Sequence, residues 1–412
     1  MPVCLLGLGV VAPAHQMQQS EALQMFRDIV CVEERQVRLA GALFRKAEVE
    51  TRHTVLPHQV AYHWCEPSLA DEATAAAING SIPGPVPPAV VAGRSPGPST
   101  GQRMELYARF AADLAVAAGQ QALDSAQLPA SAITHLVVVT CTGFYAPGVD
   151  LDLIQRLGLR NTTQRVQVGF MGCHGAINGL RTARAIAAAD PEARVLLCAV
   201  ELCSLHYRFT WDAEGVIGNA LFADGAGAVV IGCGGGPPLR QESAGPPEES
   251  AGPAGVSAGQ MADGVWQVVD TGSVVIADSR HAMSWTIGDH GFDMRLTSDV
   301  GDKIADQLAG WLVPWLAERR LQLEDIDYWG VHPGGPRILQ AVQESLGLPP
   351  TALEVSRAIL RRHGNMSSPT VLFILDEFRR RRCAAADRQP GHGVLLGFGP
   401  GLVAEIALLS VH

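Results

Sequence analysis

The chain has 412 residues and a mass of 43.6 kDa, which is enough for one large or two medium domains with a substantial core. With 47% hydrophobic and 17% charged residues, it has the composition of a packed globular enzyme. Its formal net charge of -10 argues against nucleic acid as a partner, because phosphate binding depends on clustered Lys and Arg.

The sequence indicates neither export nor a membrane partner. Met1–His15 is apolar but lacks the positive start and the small-residue cleavage site of a signal peptide. No uninterrupted apolar run approaches membrane-spanning length. The nine cysteines are scattered and form no CxxC pairs, which argues against a metal site or a redox centre. We therefore expect a soluble, cytoplasmic protein.

Short apolar strands alternate with longer helical segments, and this pattern predicts an α/β fold with layered sheets. In chain order, the predicted strands are Leu136–Thr140, Arg165–Phe170, Val195–Val200, Ala226–Ile231, Asp327–His332, Val394–Phe398 and Leu402–Leu408. The predicted helices are Met104–Leu123, Ile177–Ala189, Asp299–Arg320, Arg337–Leu346 and Val371–Arg382. Several strands are apolar without alternation, as expected where helices cover both faces of a sheet.

Two stretches rich in Pro and Gly interrupt this pattern, Ser81–Thr100 and Gly234–Gly264. The second has almost no bulky apolar residue, so it cannot bury enough surface to become ordered. We interpret residues 234–264 as a flexible surface insertion between an N-terminal half, residues 1–233, and a C-terminal half, residues 265–412.

Three short motifs, far apart in the chain, carry residues suited to acyl transfer. They are Gly-Phe-Met-Gly-Cys-His-Gly-Ala around Cys173, Trp-Gly-Val-His-Pro-Gly-Gly-Pro around His332, and His-Gly-Asn-Met-Ser-Ser around Asn365. A thiol nucleophile needs a base to form the thiolate, and the oxyanion made by its attack on a thioester needs aimed donors. A cysteine, a histidine and an amide are the parts of such a site.

Cys173 falls where a predicted strand turns into a predicted helix. Unpaired amides and the positive end of a helix dipole favour a thiolate at such a position. A buried structural cysteine is the alternative interpretation of any single cysteine. We interpret Cys173 as the nucleophile because of its strand–Gly-Cys-x-Gly-Ala context.

His332 ends an apolar strand, and the Pro-Gly-Gly-Pro that follows cannot extend that strand. We expect it to receive the thiol proton and, as imidazolium, to hold the thiolate. Gly334 and Gly335 let a pantetheine arm approach the backbone closely. Taken alone, His332 could be a structural hydrogen bonder and Asn365 a turn or helix-cap residue. In the site hypothesis the Asn365 amide and the His332 imidazolium both point at the thioester oxygen.

The three motifs in this order, together with HPGGPRIL, GNMSSPTVLFILDE and GFGPGLVAEIALL, resemble the type III polyketide synthases, the chalcone and stilbene synthase family of the thiolase superfamily. The resemblance runs from about Gly101 to the C-terminus. It implies a thiolase-like layered αβαβα fold of two similar halves, and it places Cys173, His332 and Asn365 at the catalytic positions. It also implies CoA thioesters as substrates, no metal or redox cofactor, and a homodimer.

The same resemblance implies the lining of a reaction cavity. Phe222 matches the phenylalanine that guards the junction with the CoA tunnel, and Ser367 matches a cavity serine. Cys141, Cys203 and His206 fall where chalcone synthases carry cavity threonines, although core packing is an equal alternative for Cys203.

The chain also departs from the family pattern. Met294 stands at the second gatekeeper, where plant enzymes have phenylalanine, and Trp285 stands where they have glycine. Ala146 falls at the residue that crosses into the partner subunit's cavity. For the CoA phosphates the family's basic helix is only partly reproduced, and the candidates are Arg45, Lys46 and Arg52.

These features predict an enzyme that loads an acyl-CoA starter on Cys173, extends it by decarboxylative condensation with malonyl-CoA and cyclises the chain to a pyrone or resorcinol. Cys141 and its TGFYAPG context resemble bacterial alkylpyrone and alkylresorcinol synthases, so we expect a medium or long fatty acyl starter. Trp285 is contrary evidence, because an indole in the cavity could block such a chain. The alternatives are a malonyl-primed tetrahydroxynaphthalene synthase and a partner that binds acyl chains without condensing them.

Overall fold

The structure is a computed structural model that describes residues 1–57, 96–234, 265–385 and 389–411. Apart from Gly234, the predicted insertion over 234–264 therefore lies outside the described residues. Most of the Pro/Gly-rich stretch Ser81–Thr100 lies outside them as well.

Thirteen strands are present among the described residues. They are β1 (Val3–Val11), β2 (His15–Gln18), β3 (Thr51–Thr54), β4 (His135–Thr140), β5 (Gln164–Gly169), β6 (Arg194–Leu202), β7 (Asp224–Cys233), β8 (Trp266–Val275), β9 (Met283–Gly288), β10 (Gly291–Leu296), β11 (Ile326–Val331), β12 (Gly391–Gly399) and β13 (Val403–Val411).

Ten α-helices accompany these strands in the part of the chain that the structure describes. They are α1 (Gln19–Val30), α2 (Glu34–Lys46), α3 (Thr100–Ala126), α4 (Val149–Leu157), α5 (Gly175–Ala189), α6 (Ile217–Leu221), α7 (Val300–Ala317), α8 (Pro336–Leu346), α9 (Glu354–His363) and α10 (Thr370–Ala384).

Nine strands form one sheet in the order β11-β12-β13-β8-β1-β7-β6-β4-β5. The first four belong to the C-terminal half and the last five to the N-terminal half. Only two residue pairs join β1 to β8, Cys4 with Gln267 and Leu5 with Trp266. The sheet is therefore two sheets, one from each half, that meet along a short seam.

Alternating side chains of these strands pack into different layers. In β6, Leu196 belongs to an outer core with α3 and α4, whereas its neighbour Leu197 belongs to a central core with α5 and α10. In β13, Ile406 belongs to the opposite outer core with α7 and α8, and Ala407 to the central core. Both sheets are thus covered on both faces, which explains their unbroken apolar strands.

This arrangement confirms the layered αβαβα fold expected from the sequence. Each predicted strand and helix is present, with ends shifted by a few residues; the predicted helix Asp299–Arg320, for example, is Val300–Ala317. The sequence did not predict the strands β1, β2, β3, β8, β9 and β10 or the helices α1, α2, α4, α6 and α9. The apolar segment Met1–His15 contains β1 (Val3–Val11), a central strand that pairs with β7 and β8.

Candidate active site

Cys173 lies in a single 3-10 turn, Gly172–His174, between the end of β5 and the start of α5. The chain makes this turn with two positive φ angles, 59° at Phe170 and 74° at Gly172. A side chain at Gly172 would meet Pro400 Cδ at 2.4 Å, so this position needs glycine for both conformation and space. As predicted, the thiol lies at the N-terminal end of a buried helix.

Two side chains from the loop before α10, those of Ser367 and Asn365, act on the Cys173 thiol as hydrogen-bonding neighbours that favour its charged form. The Ser367 hydroxyl also lies 3.4 Å from the Cys141 sulfur, within hydrogen-bonding distance. Burial raises the pKa of the Cys173 thiol to about 11, and the hydrogen bonds from Ser367 and Asn365 oppose this rise. These two contacts bring residues from the two halves of the chain together at the thiol.

The loop that carries Asn365 is held on both sides. The Asn365 N–H donates to the Leu221 carbonyl at 2.8 Å, and its carbonyl accepts from the Ala223 N–H at 2.9 Å. Its side-chain oxygen accepts from the Ser367 N–H at 2.8 Å. With the oxygen occupied, the amide N–H groups are the part of the side chain that is left to donate.

His332 follows the last residue of β11, and its N–H donates to the Leu396 carbonyl at 2.7 Å. The residue is 1% exposed, and neither ring nitrogen has a hydrogen-bond partner among the described residues. Burial, and then the nearby His174, lower the pKa of His332 to about 3. The imidazole is therefore neutral before the reaction, and its expected role as the acceptor of the thiol proton stays a prediction.

A small cavity of about 30 Å³ is lined in part by the thiol. Its walls include seven of the predicted site residues: Cys173, Cys141, Cys203, Phe222, Trp285, Met294 and Ser367. The volume has room for about one water molecule. The cavity is therefore much smaller than any acyl chain that the enzyme would extend, and it must widen to hold one.

Trp285 closes this cavity from the hairpin β9–β10. Its indole N–H donates to the Cys141 carbonyl at 2.7 Å, and its ring meets the Phe222 ring edge-on at 6.0 Å. Met294 stands opposite Trp285 in the hairpin register. The hydrogen bond fixes the indole in place, so the large residue at this position is a wall of the cavity.

His206 lies behind that wall rather than among the described lining residues of the cavity. Its Nδ1 accepts from the Phe292 N–H at 2.9 Å, so Nε2 carries the proton and donates to the Thr142 carbonyl at 2.7 Å. Burial lowers the pKa of His206 to about 3. The neutral side chain links the loop after β4 to strand β10, which differs from the cavity-lining position expected from the sequence.

Glu201 is a buried residue of the site that the sequence reading missed. Its carboxylate accepts from the Cys141 N–H at 2.9 Å, from the Thr142 hydroxyl at 2.6 Å and from the Ser368 hydroxyl at 2.7 Å. These bonds tie the end of β4 to the Asn365 loop. An acidic residue inside the otherwise apolar run of β6 was the available signal.

The residues expected at the CoA phosphates separate in the structure. Arg45 and Lys46 line an open cleft of about 830 Å³ between α2, α7 and the start of α8. Gly334 and Gly335 immediately precede α8. A side chain at Gly334 would contact Ile338, and one at Gly335 would contact Leu221.

Arg52 does not reach this cleft. It is 0% exposed, and its guanidinium donates to backbone carbonyls inside the protein. The expectation that Arg52 contacts a phosphate is therefore wrong for this structure.

With this geometry established, the chain can be placed in a family. Residues 88–235 match the N-terminal domain of chalcone and stilbene synthases, and residues 267–412 match the C-terminal domain. The chain belongs to the chalcone and stilbene synthase family, whose type III polyketide synthases are CoA-dependent decarboxylating acyltransferases.

Two relatives are about one third identical to this chain over the aligned residues. Bisdemethoxycurcumin synthase of Oryza sativa subsp. japonica is 33% identical over 322 residues, covering 76% of this chain and 74% of the relative. The alpha-pyrone synthesis polyketide synthase-like Pks18 of Mycobacterium tuberculosis is 32% identical over 317 residues, covering 75% and 73%. The crystal structure of PKS-I from the brown alga Ectocarpus siliculosus superposes with a TM-score of 0.81 at 27% identity, covering 100% of this chain and 98% of that one.

Within the described residues, no helix is long and apolar enough to cross a membrane.

Ser367→Ala tests the hydrogen bond to the thiol. A hydrogen bond to a charged group contributes about 1.5 kcal/mol, or about one pKa unit, so its loss should raise the Cys173 pKa by that amount. Below this pKa, iodoacetamide should alkylate Cys173 about tenfold more slowly than in the wild type, and the pH–rate curve should move to higher pH. Ser345→Ala is the matched control, because that hydroxyl bonds to the Ala309 N–H between α7 and α8 and lies outside the site. An unchanged curve for Ser367→Ala would contradict this geometry.

Proposed function

We propose that this polyketide synthase loads an acyl group from a starter CoA on Cys173, extends it with malonyl-CoA and releases a cyclised product. The observation that carries the proposal is that Cys173 and Ser367 line the same apolar cavity, with Asn365 two residues before Ser367 in the same loop. The similarity to the alpha-pyrone synthesis protein supports a pyrone, or the related resorcinol, as the product. The family requires no cofactor beyond its CoA thioester substrates.

The reaction begins with transfer of the thiol proton of Cys173 to His332. The thiolate attacks the starter thioester carbonyl, the CoA thiolate leaves and takes up a proton from the solvent, and His332 keeps the proton that it took from Cys173. Malonyl-CoA then loses CO2, and the electron pair of the broken C–C bond passes to the thioester oxygen as an enolate. The Asn365 amide and protonated His332 stabilise that oxygen. The enolate carbon attacks the acyl-cysteine carbonyl, and the Cys173 thiolate leaves.

The burial of the site supports these roles. A neutral imidazole whose nitrogens have no described partner has a free position for a proton. Because burial lowers its pKa to about 3, it takes up the thiol proton only together with formation of the thiolate. The charges that form during the reaction are opposite in sign and arise in a dry site, where their attraction is strong. An amide suits the remaining donor position because it adds no titrating charge.

We place the CoA phosphates in the cleft beside Arg45 and Lys46. Of the nearby cations, Arg337 is already paired with Asp302 at 2.8 Å, which leaves the end of α2 as the available positive charge. The cleft borders the start of α8, and Gly334 and Gly335 immediately precede that helix, so a pantetheine arm could pass over them toward His332.

We propose that the starter is a medium or long fatty acyl group. The walls formed by Cys141, Cys203 and Phe222 are apolar, and apolar walls favour a hydrocarbon chain by about 0.8 kcal/mol for each buried methylene. Such a chain requires Trp285 to leave the Cys141 carbonyl. The small resting cavity favours the second candidate, a malonyl-primed synthesis of tetrahydroxynaphthalene, which needs no hydrocarbon tunnel.

We also propose that the chain is a homodimer that associates through β5. This strand ends the sheet, its first four residues are exposed, and Val166 and Met171 are 40% and 39% exposed. An uncovered edge with apolar side chains is a surface that a second copy would cover by strand pairing. Sedimentation at micromolar concentration should give twice the chain mass of 43.6 kDa, and a monomer would contradict this.

Cys173→Ala should abolish both starter loading and product formation. Cys141→Ala and Cys203→Ala are matched controls in the same cavity, and both should keep measurable condensation. Burial raises the pKa of all three thiols, but among them only Cys173 lies at the start of a helix with Asn365 as a hydrogen-bonding neighbour. Product that depends on the starter, made by Cys173→Ala, would overturn the assignment.

Trp285→Ala tests the starter. Opening the wall should raise kcat/KM for octanoyl-CoA relative to butyryl-CoA, because four more buried methylenes contribute roughly 3 kcal/mol before ordering costs, on the order of a hundredfold. Ile287→Ala, on the same strand but 56% exposed, is the control and should leave the ratio unchanged. If malonyl-CoA alone gives the main product of the wild type, the naphthalene-forming candidate replaces the fatty acyl one.

A further inference from the structure

Arg52 lies in the short strand β3, and its side chain is fully buried beneath the five-residue helix α6. Its Nη1 donates to the Asn219 carbonyl at 2.6 Å and to the Phe222 carbonyl at 3.2 Å, and its Nη2 donates to the Ala220 carbonyl at 2.7 Å. The guanidinium therefore closes the C-terminal end of α6.

The chemistry of this end explains why an arginine is present. The last carbonyls of a helix have no partner within it, and they carry the negative end of the helix dipole. The planar fork of a guanidinium can bind several of them at once, whereas a lysine ammonium is a single point charge. Arg52 also donates to the Gln19 side-chain oxygen, and its Nη1 approaches the Tyr207 hydroxyl at 3.3 Å.

The residue that follows α6 is Phe222, at the wall of the cavity. Tyr207 donates its hydroxyl to the same Phe222 carbonyl at 2.8 Å. Phe222 forms a β-bridge with Asn365, in which the Asn365 N–H and carbonyl bond to Leu221 and Ala223. One buried cation is thus connected through a single short segment to both the cavity wall and the amide at the thiol.

We propose that Arg52 is a positioning residue that sets the placement of Phe222 and Asn365, and that it is not a ligand of the CoA phosphates. The inference rests on the proposed function, because it assigns Arg52 to the step in which Asn365 stabilises the enolate. Its loss should slow decarboxylation and condensation, whatever leaving group the malonyl thioester carries.

The test compares malonyl-CoA with malonyl-N-acetylcysteamine, a thioester with neither phosphates nor adenosine. Arg52→Lys keeps the charge but loses the fork, so kcat should fall about tenfold or more with both substrates, since small misplacements of a catalytic group are costly. The ratio of the two kcat/KM values should stay near that of the wild type. Lys46→Ala is the comparison, because the loss of a phosphate contact should lower kcat/KM for malonyl-CoA relative to the truncated thioester.

Tyr207→Phe is a second test in case the Arg52 variant misfolds. It removes one hydroxyl, which donates to the same Phe222 carbonyl as Arg52. It should lower kcat with both substrates, by a smaller factor. Each variant is assayed well below its melting temperature, and unchanged alkylation of Cys173 shows that the thiol side of the site is intact.

The proposal is overturned if Arg52→Lys behaves like Lys46→Ala, or if both Arg52→Lys and Tyr207→Phe keep the wild-type kcat. Failure of the proposed function looks different, because the wild type itself would then release no CO2 from either thioester.

Discussion

The site depends on one set of buried hydrogen bonds that joins the Asn365 loop of the second half to the first half of the chain. On one side, the Asn365 backbone is paired with Leu221 and Ala223, and on the other, Ser368 donates to Glu201. The thiol comes from the first half and the amide from the second, so neither half contains the site alone. Because each of these polar groups would be costly to bury without its partner, these hydrogen bonds hold the Asn365 loop in a single position.

Burial also determines the resting electrostatics. The pKa of the thiol is raised to about 11 and that of His332 is lowered to about 3, both because a charge in the dry site is unfavourable by itself. The hydrogen bonds of Ser367 and Asn365 to the sulfur lie where they stabilise negative charge. Before substrate binds, the thiol and the imidazole are both neutral. The donors beside them are already in place to stabilise the charge that develops during the reaction, which is how preorganised donors act in acyl transfer.

The sequence predicted the elements whose pattern depends only on burial. Strands such as β6 and β13 are unbroken apolar runs because helices cover both of their faces, and the Gly-rich turns marked the positions of Cys173, His332 and Asn365. The hairpin β9–β10 was missed because its side chains are partly exposed on both faces, so it shows no clear alternation. α1 and α2 were missed although α2 has a clear apolar face.

The roles of polar residues were harder to predict, because they depend on partners distant in sequence. His206 was expected to line the cavity, but contacts with Thr142 and Phe292 place it behind Trp285. Arg52 was expected at a phosphate, but its guanidinium faces the end of a helix more than 160 residues further along the chain. Glu201 could have been noticed as an acid within an apolar strand, although nothing in the sequence names its partners.

The central claim, that an acyl group is carried on Cys173 and extended there, can be tested by mass spectrometry of the protein during turnover. After incubation with a starter CoA, the digested protein should carry one acyl adduct, on the peptide that contains Cys173. Addition of malonyl-CoA should remove that adduct as CO2 and cyclised product are released. An adduct on another residue, or one on Cys173 that persists in the presence of malonyl-CoA, would contradict the account.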